Sequence, residues 1–278
     1  MAAAASAPLP SLLAADAPAV KIMSFNVRYI NSEDKGARTW TARRDWVGEI
    51  VRRENPDVLG VQEAQRPILD DIAQRVPGYR EIGCGREDGK SKGEYSAILV
   101  RKDAFEVLEC GTFWLSDTPE VPGSCSWGNR VTRICTWAAL KPKSGPVFHV
   151  FNAHFDHESQ PAREKAALLI TERIQARKPA GPFVFTGDLN AGEQNPVIQQ
   201  LKSGPLKLRD SWRELHPDVP PAESGTMHGF SGKHDKAKID YIFIPPGVTA
   251  VKAAIVRDQR ESGETPSDHF PVTAEIRF

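Results

Sequence analysis

The stretch FVFTGDLNA, residues 183–191, is an apolar run that ends directly in an acid and an amide. A short apolar run bounded by turn residues is typical of a buried strand. A buried carboxylate is unfavourable unless it is paired or binds a cation. Asp188 and Asn190 at the end of this strand therefore indicate a metal site, a catalytic group or the plain start of a loop.

Other segments show the same pattern of a strand that ends in a polar residue. Strands are predicted in VKIMSFNV (20–27), DVLGVQEA (57–64), YSAILVRK (95–102), RICTWAALK (133–141), VFHVFNAHF (147–155), KIDYIFI (238–244) and PVTAEIRF (271–278). The polar positions are Asn26, Glu63, His154, Asp188 with Asn190, Asp240, and the SDH at 267–269. Strand ends that gather at one sheet edge form a concave polar site on a rigid scaffold. We therefore expect one site, in which Asp188 lines a metal centre.

Two helices are predicted between these strands. Residues 41–56 place Trp46, Val47, Ile50 and Val51 on one face, and Pro56 marks the end of the helix. Residues 161–178 begin with a proline and place Ala166, Leu169, Ile170 and Ile174 on one side. No repeat or low-complexity linker follows residue 20, so residues 19–278 are predicted to form a single domain.

The composition is that of a globular protein without a dominant charge. The 278 residues include 36 Lys and Arg and 36 Asp and Glu, so the formal net charge is zero. Bulk electrostatic attraction to nucleic acid or acidic lipid is therefore excluded, whereas a local basic patch stays open. No apolar run approaches the roughly 18–20 residues of a membrane span.

The first 18 residues are rich in Ala and Pro and are set apart from the fold. They match either a disordered extension or the remnant of a signal peptide, because ADA at 15–17 fits a cleavage pattern but a basic leading segment is missing. Export to the periplasm or medium is one expectation, and a cytoplasmic location stays open. The four cysteines lack zinc-site spacing. They are either disulfide partners in an exported protein or ordinary small apolar residues.

Two motifs resemble those of other enzyme classes, but neither matches fully. GKSKG (89–93) matches the G-x-S-x-G of serine hydrolases, but that elbow joins a strand to a helix, whereas a strand follows here. NAHFDH (152–157) is one residue short of a binuclear zinc motif, because Asn152 occupies the position of the first histidine. An amide is a poor zinc ligand beside imidazole.

Six motifs in order carry a family resemblance: SFNVRY, VQEA, NAHFDH, TGDLNA, KIDYIFI and SDHFPV. From about residue 20 to its end, the chain resembles the endonuclease/exonuclease/phosphatase, or DNase I-like, superfamily. GTFWLSDTPEVPG (111–123) and RICTWA are similar to uncharacterised, often exported bacterial members. The resemblance implies an α/β fold in which two mixed β-sheets and outer helices form a four-layer αββα sandwich.

The resemblance also implies roles for the polar residues. Glu63 would be the principal Mg²⁺ ligand, with Asn26 beside the metal or a phosphate oxygen and Asp268 at the metal directly or through water. Mg²⁺ prefers carboxylate oxygens, and Mn²⁺ is the expected substitute. Asp188 and Asn190 would orient the attacking water and the scissile phosphate.

A histidine backed by a carboxylate is the second implied element. Asp240 would hold His269 in the correct tautomer, and His154 would act from the opposite side as a general acid or charge stabiliser. Such a pair gives a base that works near neutral pH. Whether Asp188 or His269 activates the water stays open.

Further residues are candidates for substrate binding. Arg133 and Arg163 could grip a phosphate through the guanidinium fork, or serve as structural ion-pair partners. Asp156 and His157 closely follow His154, and His228 lies on a glycine-flanked loop before the Asp240 strand.

The sequence thus predicts an Mg²⁺-dependent phosphoester hydrolase of the phosphodiesterase type, acting as a monomer. The alternatives are a phosphomonoesterase acting on a sugar, inositol or lipid headgroup phosphate, a nuclease, and a catalytically silent binding module. A small or headgroup substrate is favoured over duplex DNA because basic residues are not in excess. The basic cluster Arg43, Arg44, Arg52 and Arg53 is predicted on a helix of the outer layer, away from the site.

Overall fold

The structure is a computed structural model and describes residues 19–278. The predictions for residues 1–18 lie outside this range. Among the described residues, no helix has both the length and the apolar character needed to cross a membrane.

Twelve strands of the described chain form two mixed six-stranded sheets. In spatial order, the first sheet contains β11 (Thr249–Ile255), β12 (Val272–Arg277), β1 (Val20–Asn26), β2 (Val58–Ala64), β4 (Tyr95–Arg101) and β3 (Tyr79–Ile82). The second contains β5 (Phe105–Trp114), β6 (Ile134–Pro142), β7 (Phe148–His154), β8 (Phe183–Asp188), β10 (Asp240–Ile244) and β9 (Arg209–Asp210). Within each sheet one neighbouring pair is parallel, β1 with β2 and β7 with β8.

Four helices cover the outer faces of the sheets: α1 (Trp40–Glu54), α2 (Arg66–Arg75), α3 (Gln160–Ala176) and α4 (Pro196–Ser203). The short α5 (Ser211–Leu215) instead contacts strands of both sheets, and its Trp212 joins the core between them. Residues of α1 and α2 share one buried cluster with the first sheet, and residues of α3 and α4 share another with the second sheet. A third cluster lies between the sheets. The predicted four-layer αββα sandwich is confirmed.

The opening stretch is apolar throughout because β8 is buried on both faces. Val184 belongs to the core between the sheets, whereas Phe183 and Phe185 belong to the core beneath the helices. Since successive side chains of a strand point to opposite faces, only a strand covered on both sides needs a continuous apolar run.

A buried polar network joins the two sheets near the site. The Asn152 amide donates to the carbonyl oxygens of Val61 and Ala97 at 3.1 and 2.8 Å, and its oxygen accepts from Gln62 at 2.7 Å. A Cβ atom on Gly60 would come within 2.7 Å of the Asn152 oxygen, so glycine allows this close approach. Asn152 is therefore a structural residue that ties the sheets together.

Four strands (β3, β5, β9 and β11) and three helices (α2, α4 and α5) of the described chain were not predicted from the sequence. All four strands lie at sheet edges, and much of β5 and β11 is solvent-exposed. An edge strand with few buried positions lacks the strong apolar pattern that identifies a strand. The short helix α2 buries only Ile68, Leu69 and Ile72.

Helix α1, which carries the basic cluster, lies in the outer layer as predicted, but Arg43 points inward from it. This side chain is 1% exposed and donates to main-chain carbonyl oxygens of Val27, Arg28, Arg38 and Pro266. Arg43 therefore anchors the loops that follow β1 and precede β12.

Candidate active site

The ends of strands from both sheets meet at one edge of the sandwich. Parallel pairing of β7 with β8 sets His154 opposite Asp188, and antiparallel pairing of β8 with β10 sets Asp188 opposite Asp240. In the first sheet, Asn26 ends β1 and Glu63 lies near the end of β2. The structure thus brings together the polar residues that the strand pattern predicted would meet.

Asn26 links the two carboxylates of this edge. Its amide nitrogen lies 3.0 Å from Glu63 Oε1 and 2.9 Å from Asp188 Oδ2, and its oxygen accepts from the Arg28 backbone N–H. Asn26 therefore presents N–H groups, and not its carbonyl oxygen, to the carboxylates. This arrangement holds Glu63 and Asp188 close together although they would repel each other when both are ionised.

Glu63 adopts an unusual backbone conformation. Its φ is 61°, and the pairing of β2 with β4 shifts register between Val61 and Ala64. A non-glycine residue in the left-handed region costs on the order of 1 kcal/mol, and such strain clusters at functional sites. The second carboxylate oxygen of Glu63 accepts from the Tyr29 backbone N–H at 3.0 Å. The bulge thus directs a partly exposed carboxylate into the cleft.

Asp240 and His269 form a buried pair. His269 Nδ1 lies 2.9 Å from Asp240 Oδ2, so the proton on Nδ1 is held by the carboxylate. His269 Nε2 then faces Asp188 Oδ2 at 3.8 Å. Burial lowers the pKa of His269, but the nearby Asp240 and Asp188 carboxylates outweigh burial and hold that pKa well above its usual value.

Asp188 lies at the centre of the cluster. Burial, and then the neighbouring Asp240 carboxylate, raise the pKa of Asp188 to about 7. Its Oδ1 accepts from the Asn190 backbone N–H at 2.9 Å, and Asn190 adopts a left-handed φ of 46°. The tight turn after β8 thereby fixes both side chains of the GDLN motif.

His154 is buried and neutral. Burial, and then the positive charges of Arg133 and Arg86, hold the pKa of His154 well below its usual value. The Asn190 amide nitrogen lies 3.0 Å from His154 Nε2 and 3.0 Å from the Phe155 carbonyl oxygen. In this arrangement the Asn190 amide is placed to donate to both atoms, and the role of His154 as a general acid or charge stabiliser stays a prediction.

The donor set fits a divalent cation that prefers oxygen ligands. One ligand atom each of Glu63, His154 and Asp188 lie within 4.8 Å of one another, and a second such group contains Asp188, Asp240 and His269. Carboxylates dominate both groups, which suits Mg²⁺ or Mn²⁺ better than zinc.

Asp268, the other predicted metal residue, belongs to neither group among the described residues. Asp268 Oδ2 lies 3.5 Å from Arg28 Nη1, and its Oδ1 accepts from Ser267 Oγ at 3.3 Å. It lines the same cleft, so its predicted contact with a metal stays a prediction.

The predicted substrate-binding residues fall into two groups. Arg133 and His157 line the cleft beside His154, and Arg133 Nη2 lies 3.0 Å from His157 Nδ1. Arg163 points elsewhere, because it donates to the Asp156 carbonyl oxygen and to the side chain of Gln160. The Asp156 carboxylate accepts the backbone N–H groups of residues 158 and 159 and shapes the loop after β7.

His228 lies behind the cleft. It is 1% exposed, its ring packs on Phe270 at 4.1 Å, and its backbone N–H donates to the Asp268 carbonyl oxygen at 2.8 Å. Burial, and then the positive charge of His269, lower the pKa of His228 to about 4. This position supports the loop that carries Asp268 and His269.

An arginine–glutamate pair in the cleft was missed. Arg86 donates two hydrogen bonds to the Glu94 carboxylate at 2.7 and 2.8 Å, across the base of the loop between β3 and β4. The sequence feature that could have identified this pair is the opposite charge of the two residues on either side of segment 87–93. Because this segment is a loop between two strands, it lacks the strand-to-helix context of a serine-hydrolase elbow.

These residues enclose a cleft of about 320 Å³. The volume is that of a pocket for a small molecule. Its lining consists of Arg28, Tyr29, Glu63, Arg86, Glu94, Val131, Arg133, His154, His157, Asp188, Asn190, Met227, Ile239, Asp268 and His269.

Solved structures with the same fold cover nearly all of this chain. One is titled mannosyl-6-phosphatase from Bacteroides thetaiotaomicron, with 36% identity and a TM-score of 0.85 over 93% of this chain and 100% of that one. Another is an endonuclease/exonuclease/phosphatase from Bacteroides vulgatus, with 32% identity and a TM-score of 0.84 over 93% and 98% of the two chains.

A curated relative and a family model also match. An uncharacterised protein, L388, of Acanthamoeba polyphaga mimivirus is 25% identical over 189 residues, which are 63% of this chain and 68% of the viral protein. The model of the Endonuclease/Exonuclease/phosphatase family matches residues 23–269. The chain belongs to the Endonuclease/Exonuclease/phosphatase family, whose members hydrolyse phosphoesters.

Proposed function

We propose that the protein is a divalent-metal-dependent hydrolase of a small phosphoester, such as a sugar phosphate. One observation carries the proposal: the Asp240–His269 pair faces Asp188, and Asp188 also clusters with Glu63 at one edge of the sandwich. A binding module would gain nothing from so many costly buried ionisable groups.

Glu63 and Asp188 are the residues that would hold Mg²⁺ or Mn²⁺. When bound, the ion would neutralise charge on the non-bridging phosphate oxygens. Asn26 keeps the two carboxylates together by donating one N–H group to each. Enzymes of this family generally depend on a divalent metal, which agrees with the carboxylate-rich cluster.

Asp188 and His269 are placed to activate water. A water molecule can hydrogen-bond to both Asp188 Oδ2 and His269 Nε2, because these atoms are 3.8 Å apart. The water oxygen forms a new bond to phosphorus, the ester P–O bond breaks, and the proton of the water passes to Asp188. The leaving oxygen takes up a proton from solvent and departs as an alcohol. Asp240 stabilises the positive charge of His269.

The cleft and the net charge support a small substrate. About 320 Å³ suits a sugar phosphate, and the equal numbers of basic and acidic residues give no general attraction to duplex DNA. The relative titled mannosyl-6-phosphatase supports the same substrate class.

A substrate panel tests this function. It contains hexose phosphates, p-nitrophenyl phosphate, bis-p-nitrophenyl phosphate, sphingomyelin and plasmid DNA, each with Mg²⁺ or Mn²⁺. We expect turnover of a small phosphoester that Asp188→Asn abolishes, while an exposed control, Lys252→Ala, keeps it. Turnover of none of these esters would contradict the proposed function, and efficient cleavage of plasmid alone would favour a nuclease.

A further inference from the structure

Three arginines line the cleft in the part of the chain that the structure describes, and two are occupied by carboxylates. Arg86 forms its two short hydrogen bonds to Glu94. Arg28 lies 3.5 Å from the Asp268 carboxylate. Both charges are therefore largely compensated within the protein.

Arg133 differs from the other two. It is 5% exposed, yet its Nε and Nη1 have no hydrogen-bond partner among the described residues. The Asp156 carboxylate approaches Nε only to 3.8 Å, which is beyond hydrogen-bond distance. Burying a charged donor without a partner is costly, so such a residue in a cleft points to an anionic ligand.

The third guanidinium nitrogen contacts a half-exposed residue. Arg133 Nη2 lies 3.0 Å from His157 Nδ1, and the His157 side chain is 51% exposed. A phosphate oxygen can replace this half-exposed ring at Nη2 without disturbing the core. Arg133 also lines the cleft together with His154.

We infer that Arg133 recognises the extra charge and third non-bridging oxygen of a phosphomonoester, and that the protein is a phosphomonoesterase. The inference rests on the proposed function. A monoester dianion can place one oxygen at Arg133 and the others toward the edge at which Glu63 and Asp188 would hold the divalent cation. A diester carries one negative charge fewer, and its second ester group would take the position beside Arg133. The charge-assisted contact therefore favours the monoester.

The test compares p-nitrophenyl phosphate with bis-p-nitrophenyl phosphate, which share a leaving group. With Mg²⁺, we expect Arg133→Met to lower kcat/KM for the monoester by about 10²–10³-fold, the usual effect of removing one charge-stabilising donor. The loss for the diester should be less than about 10-fold. Arg133→Lys should recover part of the monoester activity. Arg130→Met is the matched control, because Arg130 is three residues away, 80% exposed and paired with Glu158.

A binding measurement separates this inference from the proposed function. Calorimetry with inorganic phosphate and with dimethyl phosphate requires no turnover. Arg133→Met should weaken phosphate binding at least about 10-fold and leave dimethyl phosphate binding nearly unchanged. Thermal denaturation of each variant verifies folding. Equal losses for both anions, or a wild-type preference for the diester, would overturn the inference. Absent turnover with selective phosphate binding would overturn the proposed function and the assignment as a phosphomonoesterase, but would support the role of Arg133 in phosphate recognition.

Discussion

Arg43 and Arg133 are both buried arginines, but the hydrogen-bond partners of their guanidinium groups differ. Arg43 lies between α1 and two loops, donates to four carbonyl oxygens, and packs on the rings of Trp40 and Phe230. Arg133 lies in the cleft wall, and its Nε and Nη1 have no hydrogen-bond partner within residues 19–278. Burial lowers the pKa of both, to about 10 for Arg43.

The difference separates a structural region from a functional one. Both side chains lose hydration, but only Arg43 recovers its hydrogen bonds within the protein. A buried cation that replaces its lost hydrogen bonds to water with bonds to the protein contributes to stability. One that does not replace them is available to bind a ligand. The comparison predicts that changes in the cleft affect activity, and that changes at Arg43 affect stability.

The largest expected effect is the loss of activity when the metal is removed from the cleft. Chelation with EDTA should lower activity by more than about 10³-fold, because a divalent cation contributes several kcal/mol to charge stabilisation. Added Mg²⁺ or Mn²⁺ should restore it, and Glu63→Ala should raise the Mg²⁺ concentration needed for half-maximal activity. The measurement is the initial rate against free metal concentration. Full activity after exhaustive chelation would rule out the metal mechanism.

The Asp240–His269 pair should act as one unit. Replacing either residue with alanine should cost about 10²–10⁴ in kcat, the range of general acid–base groups. The double variant should be little slower than the slower single variant, because groups that act together are non-additive. Steady-state kinetics of the three variants decide this, and additive losses would show that the two residues work independently.

On the structural side, Arg43→Met should destabilise the fold. It leaves buried carbonyl oxygens without donors around the loops after β1 and before β12. We expect the free energy of unfolding to fall by about 3 kcal/mol, as for other broken buried polar networks. Urea denaturation followed by tryptophan fluorescence measures this, with exposed Arg52→Met as the control in the same helix.

Arg133→Met should change stability much less than Arg43→Met. Two of its three guanidinium nitrogens have no partner to lose, so the free energy of unfolding should stay within about 1 kcal/mol of the wild type or rise. The same urea experiment gives the value. A loss as large as that of Arg43→Met would assign Arg133 to the scaffold and remove the distinction between the two arginines.

The smallest expected effect is that of salt. If the substrate is small, kcat/KM on p-nitrophenyl phosphate should change by less than about tenfold for a tenfold rise in salt, because few charges are involved. A protein that contacts several DNA phosphates loses about 0.9 log units per contact. A salt titration on the ester and on plasmid DNA measures both slopes. Efficient plasmid cleavage with a slope steeper than about −3 would identify a nuclease.

Much of the site was predictable because its residues lie at strand ends with local signals. FVFTGD, NAHFDH and KIDYIFI each join an apolar strand to a polar end, and six motifs in order carried the family and the fold. The edge strands β5 and β11 were not predictable in this way, since exposed edges weaken the apolar pattern. Arg86 and Glu94 were missed because no strand end marks them.

By itself, the sequence determined which segments are buried and which polar residues end them, because burial and turn preferences depend on neighbouring residues. Which of these residues lie next to one another was decided by the tertiary structure alone. Strand register aligned Asp188 with His154 and Asp240, and a bulge gave Glu63 its strained φ. Tertiary structure also separated Arg43 from Arg133, since the partners of a buried arginine come from distant parts of the chain. Such contacts arise only when the two sheets pack, and no local pattern encodes them.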